Sequence, residues 1–143
     1  PNYHSGANGS YQRIKAADHD LLRRPNGTLI EYFPAHPHEG GVGAPSEAAA
    51  SVIATGTSKV TDRPFNLVVA FERSTDAHGN RLGRAIAESS FHHLVDYNWN
   101  TDLGCPTFLE EPPGDEIKRD PERLDDVKRY VENAAGWLSS RVS

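Results

Sequence analysis

Four of the seven histidines in this 143-residue chain stand in two close pairs, and these pairs are the residues best suited to chemistry. His36 and His38 are two positions apart, whereas His92 and His93 are adjacent. An imidazole titrates near neutral pH, so it can take up and release protons under physiological conditions. We therefore predict His92 and His93 as candidate catalytic residues, with either of them acting as general base.

A carboxylate lies close to each histidine pair. Glu39 follows the first pair directly, and Asp96 stands shortly after the second. Loops that follow strands are common places for ligand sites in open sheets. The sequence therefore predicts a ligand-binding site formed by His36, His38, Glu39 and Asp96.

The same histidines raise a metal hypothesis. In extended backbone, positions two apart point to one face, so His36 and His38 can converge on one ion. A catalytic zinc takes three protein ligands plus water, and His92 would supply the third imidazole for zinc or another divalent metal. The alternative is that these are loop histidines making ordinary hydrogen bonds. Neither pair matches a metalloprotease helix motif, and Glu39 follows too closely for the cupin pattern.

Nucleophile candidates are few. Cys105 precedes a proline and has no elbow motif around it, so an inert thiol is the simpler interpretation. Ser89 and Ser90 come just before His92, where they either pair with an imidazole or cap the end of a strand. The acidic stretch at 110–116 is typical of solvated loop.

Composition and charge exclude several classes of protein. Fifteen Lys plus Arg against 20 Asp plus Glu give a formal net charge of −5, which leaves no basic footprint for nucleic acid. No apolar run approaches the roughly 18 residues of a membrane span, and no signal peptide is apparent. We therefore expect a soluble protein, in the cytoplasm rather than secreted, without nucleic-acid or membrane partners.

Hydrophobic patterns predict an α/β domain of about four strands and a C-terminal helix. The helix covers 120–140, where Leu124, Val127, Val131, Ala134 and Leu138 recur at helical spacing with Trp137 beside them. Asp120 and Pro121 suit its start. The predicted strands, of which the last two form a hairpin, cover 28–33, 51–55, 66–72 and 83–90.

Three stretches of the chain resemble a known family. They read PNYHSGANG at 1–9, PAHPHEG at 34–40, and SSFHH at 89–93 followed by DYNW at 96–99. Together they resemble the C-terminal half of uncharacterised bacterial proteins with a class I glutamine amidotransferase-like domain, related to the trehalose-utilisation (ThuA-like) family. The resemblance implies a partial flavodoxin-like sandwich, with 1–143 either a single domain or the C-terminal segment of a larger α/β domain. It also implies a partner, namely the missing N-terminal part of the same fold or another chain, and the absent starting Met agrees with a processed or partial chain.

The resemblance to true glutamine amidotransferases is incomplete at the catalytic positions. Phe91-His92 is similar to the first half of their Phe-His-Pro-Glu stretch, but His93-Leu94 stands where Pro-Glu would be. Cys105 also follows the histidine, which is the wrong order for their nucleophile. Only His92 therefore carries over, as a base.

These observations lead to one favoured function and two alternatives. The favoured function is an amidotransferase-like domain that hydrolyses a small polar or sugar-related molecule in a His-rich pocket. One alternative is a non-catalytic binding or structural module of a larger assembly, and the other is a metal-dependent hydrolase. All depend on imidazoles distant in sequence meeting at one place.

Overall fold

The chain folds into a mixed α/β structure with several antiparallel strands and a C-terminal helix. The computed structural model describes residues 2–105 and 110–139. The strands are β1 (Tyr11–Arg13), β2 (Lys15–Ala16), β3 (Tyr32–Pro34), β4 (Ala50–Thr57), β5 (Pro64–Phe71), β6 (Ser74–Thr75), β7 (Arg81–Leu82) and β8 (Ala85–Glu88). The α-helices are α1 (Asp96–Trp99), α2 (Glu116–Arg119) and α3 (Leu124–Ser139).

The main sheet has four antiparallel strands in the order β2-β4-β5-β8. Its two long central strands coincide with the predicted strands at 51–55 and 66–72, and β8 lies within the predicted 83–90. The hairpin joining the last two is confirmed, and β6 and β7 extend it toward the turn. In β5 the apolar residues from 67 to 70 are fully buried, as expected for the centre of a sheet.

The predicted strand at 28–33 forms only at its end and does not join the main sheet. Its ordered part, β3, pairs with β1 in a separate two-stranded ladder that places Gln12 opposite Phe33. The first twelve residues are rich in Gly, Asn and Ser, which favour turns and loops. Tyr11 and Gln12 nevertheless enter a strand, since β3 supplies the partner that a three-residue segment needs.

Helix α3 confirms the predicted C-terminal helix, although the position at 140 lies outside the described residues. A 3-10 turn at Pro121–Arg123 leads into it. The buried face differs from the predicted stripe: Val131 and Leu138 are 42% and 44% exposed, whereas Tyr130 is buried. The Tyr130 hydroxyl donates to Glu88 at 2.8 Å. Relative to the predicted orientation, the helix is therefore rotated about its axis so that this amphipathic side chain faces the interior.

Every strand pair in the described ranges is antiparallel. A flavodoxin-like sandwich is built on a parallel sheet, so that finer assignment is not confirmed, while the mixed class of helix and sheet is. Among the described residues, no helix is both long enough and apolar enough to traverse a bilayer.

Two Asn-Gly pairs offer a matched test of how tightly the N-terminal loop packs. Gly9 and Gly27 have similar positive φ angles, +78° and +85°. A Cβ at Gly9 would lie 2.5 Å from the Gly114 carbonyl oxygen and 2.8 Å from Thr101 Cγ2, but one at Gly27 meets nothing within 4 Å. We expect Gly27→Ala to lower the free energy of unfolding by about 1–2 kcal/mol from backbone strain alone. Gly9→Ala adds overpacking of about 1–3 kcal/mol.

Urea unfolding followed by circular dichroism measures both losses. Equal losses in the two variants would contradict the close packing of the N-terminal loop against Gly114.

Candidate functional site

Three segments that are distant in sequence meet beside the edge of the main sheet. They are the N-terminal loop at 2–10, the loop at 34–41 after β3, and the stretch at 91–99 that holds a 3-10 turn and α1. The backbones of Tyr3 and Glu39 exchange two hydrogen bonds of 2.7 and 3.0 Å, which fix the first loop against the second.

The Asn98 side chain fastens all three segments together. This residue is fully buried in α1. Its Oδ1 accepts from the Gly9 N–H, and its Nδ2 donates to the carbonyl oxygens of Ala35 and His92, each at 2.9 Å. Its amide therefore has three protein partners, one in each segment.

Glu39 lies at the centre of a buried polar cluster. Its side chain has no exposed surface, and four side chains hydrogen-bond to its carboxylate. Ser5 Oγ and Gln12 Nε2 donate to Oε1, the latter at 2.6 Å. Ser89 Oγ donates to Oε2 at 2.7 Å, and His93 Nε2 lies 3.0 Å from the same oxygen. A buried carboxylate needs such a shell of donors to remain charged.

His93 is the cation of this cluster. Burial by itself would lower the pKa of His93, but the hydrogen bond to Glu39 and the charges of Glu39 and Glu88, the latter 3.6 Å from Nδ1, outweigh it and raise the pKa from 6.5 to about 9. Burial would raise the pKa of Glu39, yet His93 and the serine hydroxyls hold it below its ordinary 4.5. Predicted as a base, His93 stands here as a buried imidazolium.

His36 and His92 form a second, uncharged cluster. Their rings stack face to face, with centroids 3.5 Å apart and planes 3° from parallel. Burial, followed by the charge of the neighbouring His92, lowers the pKa of His36 from 6.5 to about 4. Burial, followed by the charge of His93, also lowers the pKa of His92. Both rings are therefore neutral at physiological pH, which allows them to stack.

The outer side of this stack carries further polar groups. The Tyr97 hydroxyl lies within hydrogen-bond distance of His92 Nδ1, and burial raises the pKa of that tyrosine, so it stays protonated. The His38 ring packs edge-on against His36 at 5.6 Å. Asp96, predicted as a ligand residue, is exposed, and its carboxylate accepts from the Tyr97 N–H.

Two residues of the acidic stretch contact histidines of the site, although Glu110 is exposed to solvent as predicted. Glu110 Oε2 lies 3.0 Å from His38 Nε2, and Glu111 Oε2 lies beside His4 Nε2. His4 was not among the predicted site residues, nor were Ser5, Gln12 and Asn98. No local pattern marks them, because each acquires its role only through partners far along the chain.

The serine and cysteine candidates have structural roles in the described chain. Ser89 donates to Glu39, and Ser90 Oγ accepts from the His92 N–H as the N-cap of the 3-10 turn at Phe91–Leu94. The capping interpretation thus holds for Ser90. Cys105 is buried, as expected for an inert thiol.

The paired histidines lie close together in space, and two surface cavities of the described chain lie elsewhere. A surface cavity of about 580 Å³ lies beside Arg24, Tyr32 and Arg123, and a smaller one lies on the β6–β7 hairpin. Neither of these two is lined by the histidine pairs. The ligand site predicted in the two loops is therefore a compact, polar contact region.

Ring geometry bears on the metal hypothesis. An imidazole binds a metal in its ring plane, and two nearly parallel planes 3.5 Å apart cannot both contain one ion. Within the described ranges, no group of three or more His, Cys, Asp or Glu side chains is arranged to hold a metal. A site of His36, His38 and His92 would require the stack to open, and it stays a prediction.

Replacing Glu39 tests the buried ion pair. The raised pKa of His93 contributes stability that is complete below pH 6.5 and is lost as pH rises through about 9. The depressed pKa of Glu39 contributes stability that is lost as pH falls below 4.5. We expect Glu39→Gln to lower the unfolding free energy by about 3–5 kcal/mol near pH 6 and by less near pH 10.

Chemical denaturation at a series of pH values measures this difference. The exposed Glu47→Gln serves as control and should leave the unfolding midpoint unchanged. A loss in Glu39→Gln that does not vary with pH would show that the pair is not charged.

Metal content decides the metal hypothesis directly. A filled site of three imidazoles predicts about one equivalent of zinc, manganese or iron in the purified protein. From the stacked rings we expect less than about a tenth of an equivalent, measured by elemental analysis after dialysis. One retained equivalent that disappears in His36→Ala would establish the metal site and contradict the stacked arrangement.

Comparisons with family models, with curated proteins and with solved structures find no match for this chain. The resemblance to the class I glutamine amidotransferase-like domains therefore stays a prediction. What the chain can do must be argued from the geometry of its own residues.

Proposed function

We propose that this chain is an amidotransferase-like domain that hydrolyses a small polar molecule, with His92 as general base. One observation carries the proposal: His92 is a neutral imidazole, half-buried, stacked on His36 and held at Nδ1 by Tyr97. A general base must be unprotonated at working pH and fixed in orientation. His92 meets both conditions.

The proposed step needs only a water molecule and an electrophilic carbon. With Nδ1 held by Tyr97, Nε2 is the ring nitrogen left to face a ligand. Nε2 takes a proton from water as the water oxygen attacks the carbon, and it returns that proton to the leaving group as the bond to carbon breaks. The reaction therefore consumes water and needs no other reagent.

His93 is better suited to positioning than to proton transfer. Its ring is enclosed between Glu39 and Glu88 and is protonated at neutral pH. Because it adjoins His92 in the chain, anchoring one ring in the interior directs the other toward the loops. The Trp99 indole N–H also donates to the His93 carbonyl oxygen at 2.7 Å, which holds this turn from α1.

The finer assignment of fold belongs to the same proposal. A partial flavodoxin-like sandwich would need further strands from the rest of the fold or from another chain, and the predicted partner would supply them. Support comes from the sequence resemblance at 1–9, 34–40 and 89–99, which are the segments that meet at the site.

A specific observation favours the non-catalytic binding module as the second candidate. The His92 ring is hydrogen-bonded to the Tyr97 hydroxyl. Neither Ser89 nor Ser90 directs its hydroxyl to that ring. Ser89 donates to Glu39, and Ser90 caps the 3-10 turn by accepting from the His92 backbone N–H. A module that only binds its ligand would have the same arrangement.

Turnover assays separate the two candidates. Ammonia release from L-glutamine and nitrophenol release from p-nitrophenyl acetate are measured for the wild type and for His92→Ala. We expect at least one reaction to fall by about 10²–10⁴-fold, the usual contribution of a general base. His78→Ala, in the exposed hairpin turn, is the matched control and should keep full activity. Equal rates in wild type and His92→Ala would leave only the binding module.

The pH profile gives an independent test. A base works only when unprotonated, so the rate falls as pH decreases through the pKa of His92. Burial and the charge of His93 place that pKa below 6.5. More than half of the maximal rate should therefore persist at pH 6.5, and a midpoint above pH 7 would contradict the assignment.

A further inference from the structure

The N-terminal loop contains a buried amide that has no hydrogen-bond partner among residues 2–105 and 110–139. Asn8 is 1% exposed, and neither its Oδ1 nor its Nδ2 has a hydrogen-bond partner. Buried polar groups are almost always paired, and leaving an amide unpaired is unfavourable. The buried amide of Asn98, by contrast, has three protein partners.

Two more unpartnered nitrogens belong to the same loops. His36 Nε2 and His4 Nδ1 are both buried without a partner among the described residues. His36 Nδ1 lies 2.9 Å from the His38 backbone nitrogen and 3.2 Å from the His38 carbonyl oxygen, so the contacts of this ring are on its Nδ1 side. His4 Nε2 faces the Glu111 carboxylate and donates to it.

Backbone contacts place these groups in adjoining segments. The residue after Asn8, Gly9, is joined through the Asn98 amide to the carbonyls of Ala35 and His92. His36 follows Ala35 directly, and the backbone N–H of Ser5 donates to the His36 carbonyl at 3.1 Å. The unpartnered amide thus lies in the loop that packs onto the stacked histidines.

From these observations we infer that Asn8 is a recognition residue for a small uncharged ligand presenting a donor and an acceptor side by side. A primary carboxamide and a pair of neighbouring hydroxyls both have this chemistry. The amide of Asn8 offers one acceptor and two donors for such a ligand. This inference rests on the proposed function, because it names the ligand class for the His92 site.

Charge argues against an ionic ligand at these atoms. The Asn8 amide carries no charge that could balance the charge of an ionic ligand. A buried carboxylate or ammonium would need a paired countercharge, as Glu39 has in His93. A neutral ligand avoids this requirement.

Side-chain amide signals in ¹⁵N–¹H NMR spectra of the wild-type protein test the inference without any turnover. Acetamide and ethylene glycol are the probes for the two sources of the chemistry, and acetate is the charged control. We expect one of the neutral probes to shift the Asn8 signals saturably, while acetate does not and the signals of Asn26 stay fixed. Asn26 is the matched reference, since it also precedes a glycine but lies in an exposed turn.

Asn8→Leu keeps the shape of the side chain and removes its donors and acceptor. Because that amide has no partner among the described residues, the variant should fold with undiminished stability and bind the effective probe at least about tenfold more weakly. Asn26→Leu should bind as the wild type does. Unchanged Asn8 signals with both neutral probes would overturn the inference and identify an enclosed water as the partner.

The outcome is separable from the test of the proposed function. Failure of both probes with His92-dependent hydrolysis intact would remove the Asn8 inference alone. Loss of the His92 effect with saturable Asn8 shifts would instead leave a binding module of known ligand class.

Discussion

A carboxylate with no access to water is the constraint around which this structure is arranged. Glu39 follows a short strand into the interior and cannot reach solvent, so its charge has to be balanced from within. Its donors, Ser5, Gln12, Ser89 and His93, come from four separate parts of the chain. Satisfying one side chain therefore requires the N-terminal loop, β1, the end of β8 and the turn at 91–94 to converge.

That convergence also places the uncharged groups of the site. The loop that carries Glu39 carries His36, and the turn that carries His93 carries His92. Once Glu39 and His93 are in contact, the other two rings are close enough to stack. The Asn98 amide completes the assembly by bonding to all three segments.

The parts of the fold that could be predicted are those encoded by local pattern. β-branched runs identified β4 and β5, and helical spacing identified α3. The ladder of β1 with β3 escaped because three-residue strands carry little pattern, and the face of α3 was misplaced because Tyr130 is buried through its bond to Glu88. Contacts over long sequence separations, such as that of Gln12 with Glu39, have no local signature at all.

In the site, too, local sequence predicts which residues are present, whereas contacts with distant residues determine their charge. The two histidine pairs in the sequence predicted that the imidazoles would lie close together. They did not predict that, of the adjacent His92 and His93, one would be neutral and the other protonated. His93 is protonated because two carboxylates enclose it. His92 is neutral because it is half-buried and lies beside the positively charged His93 ring. Residue type alone gives both the same pKa. A fixed cation in the interior thus helps keep its neighbour unprotonated, and so makes His92 the ring of the pair able to accept a proton.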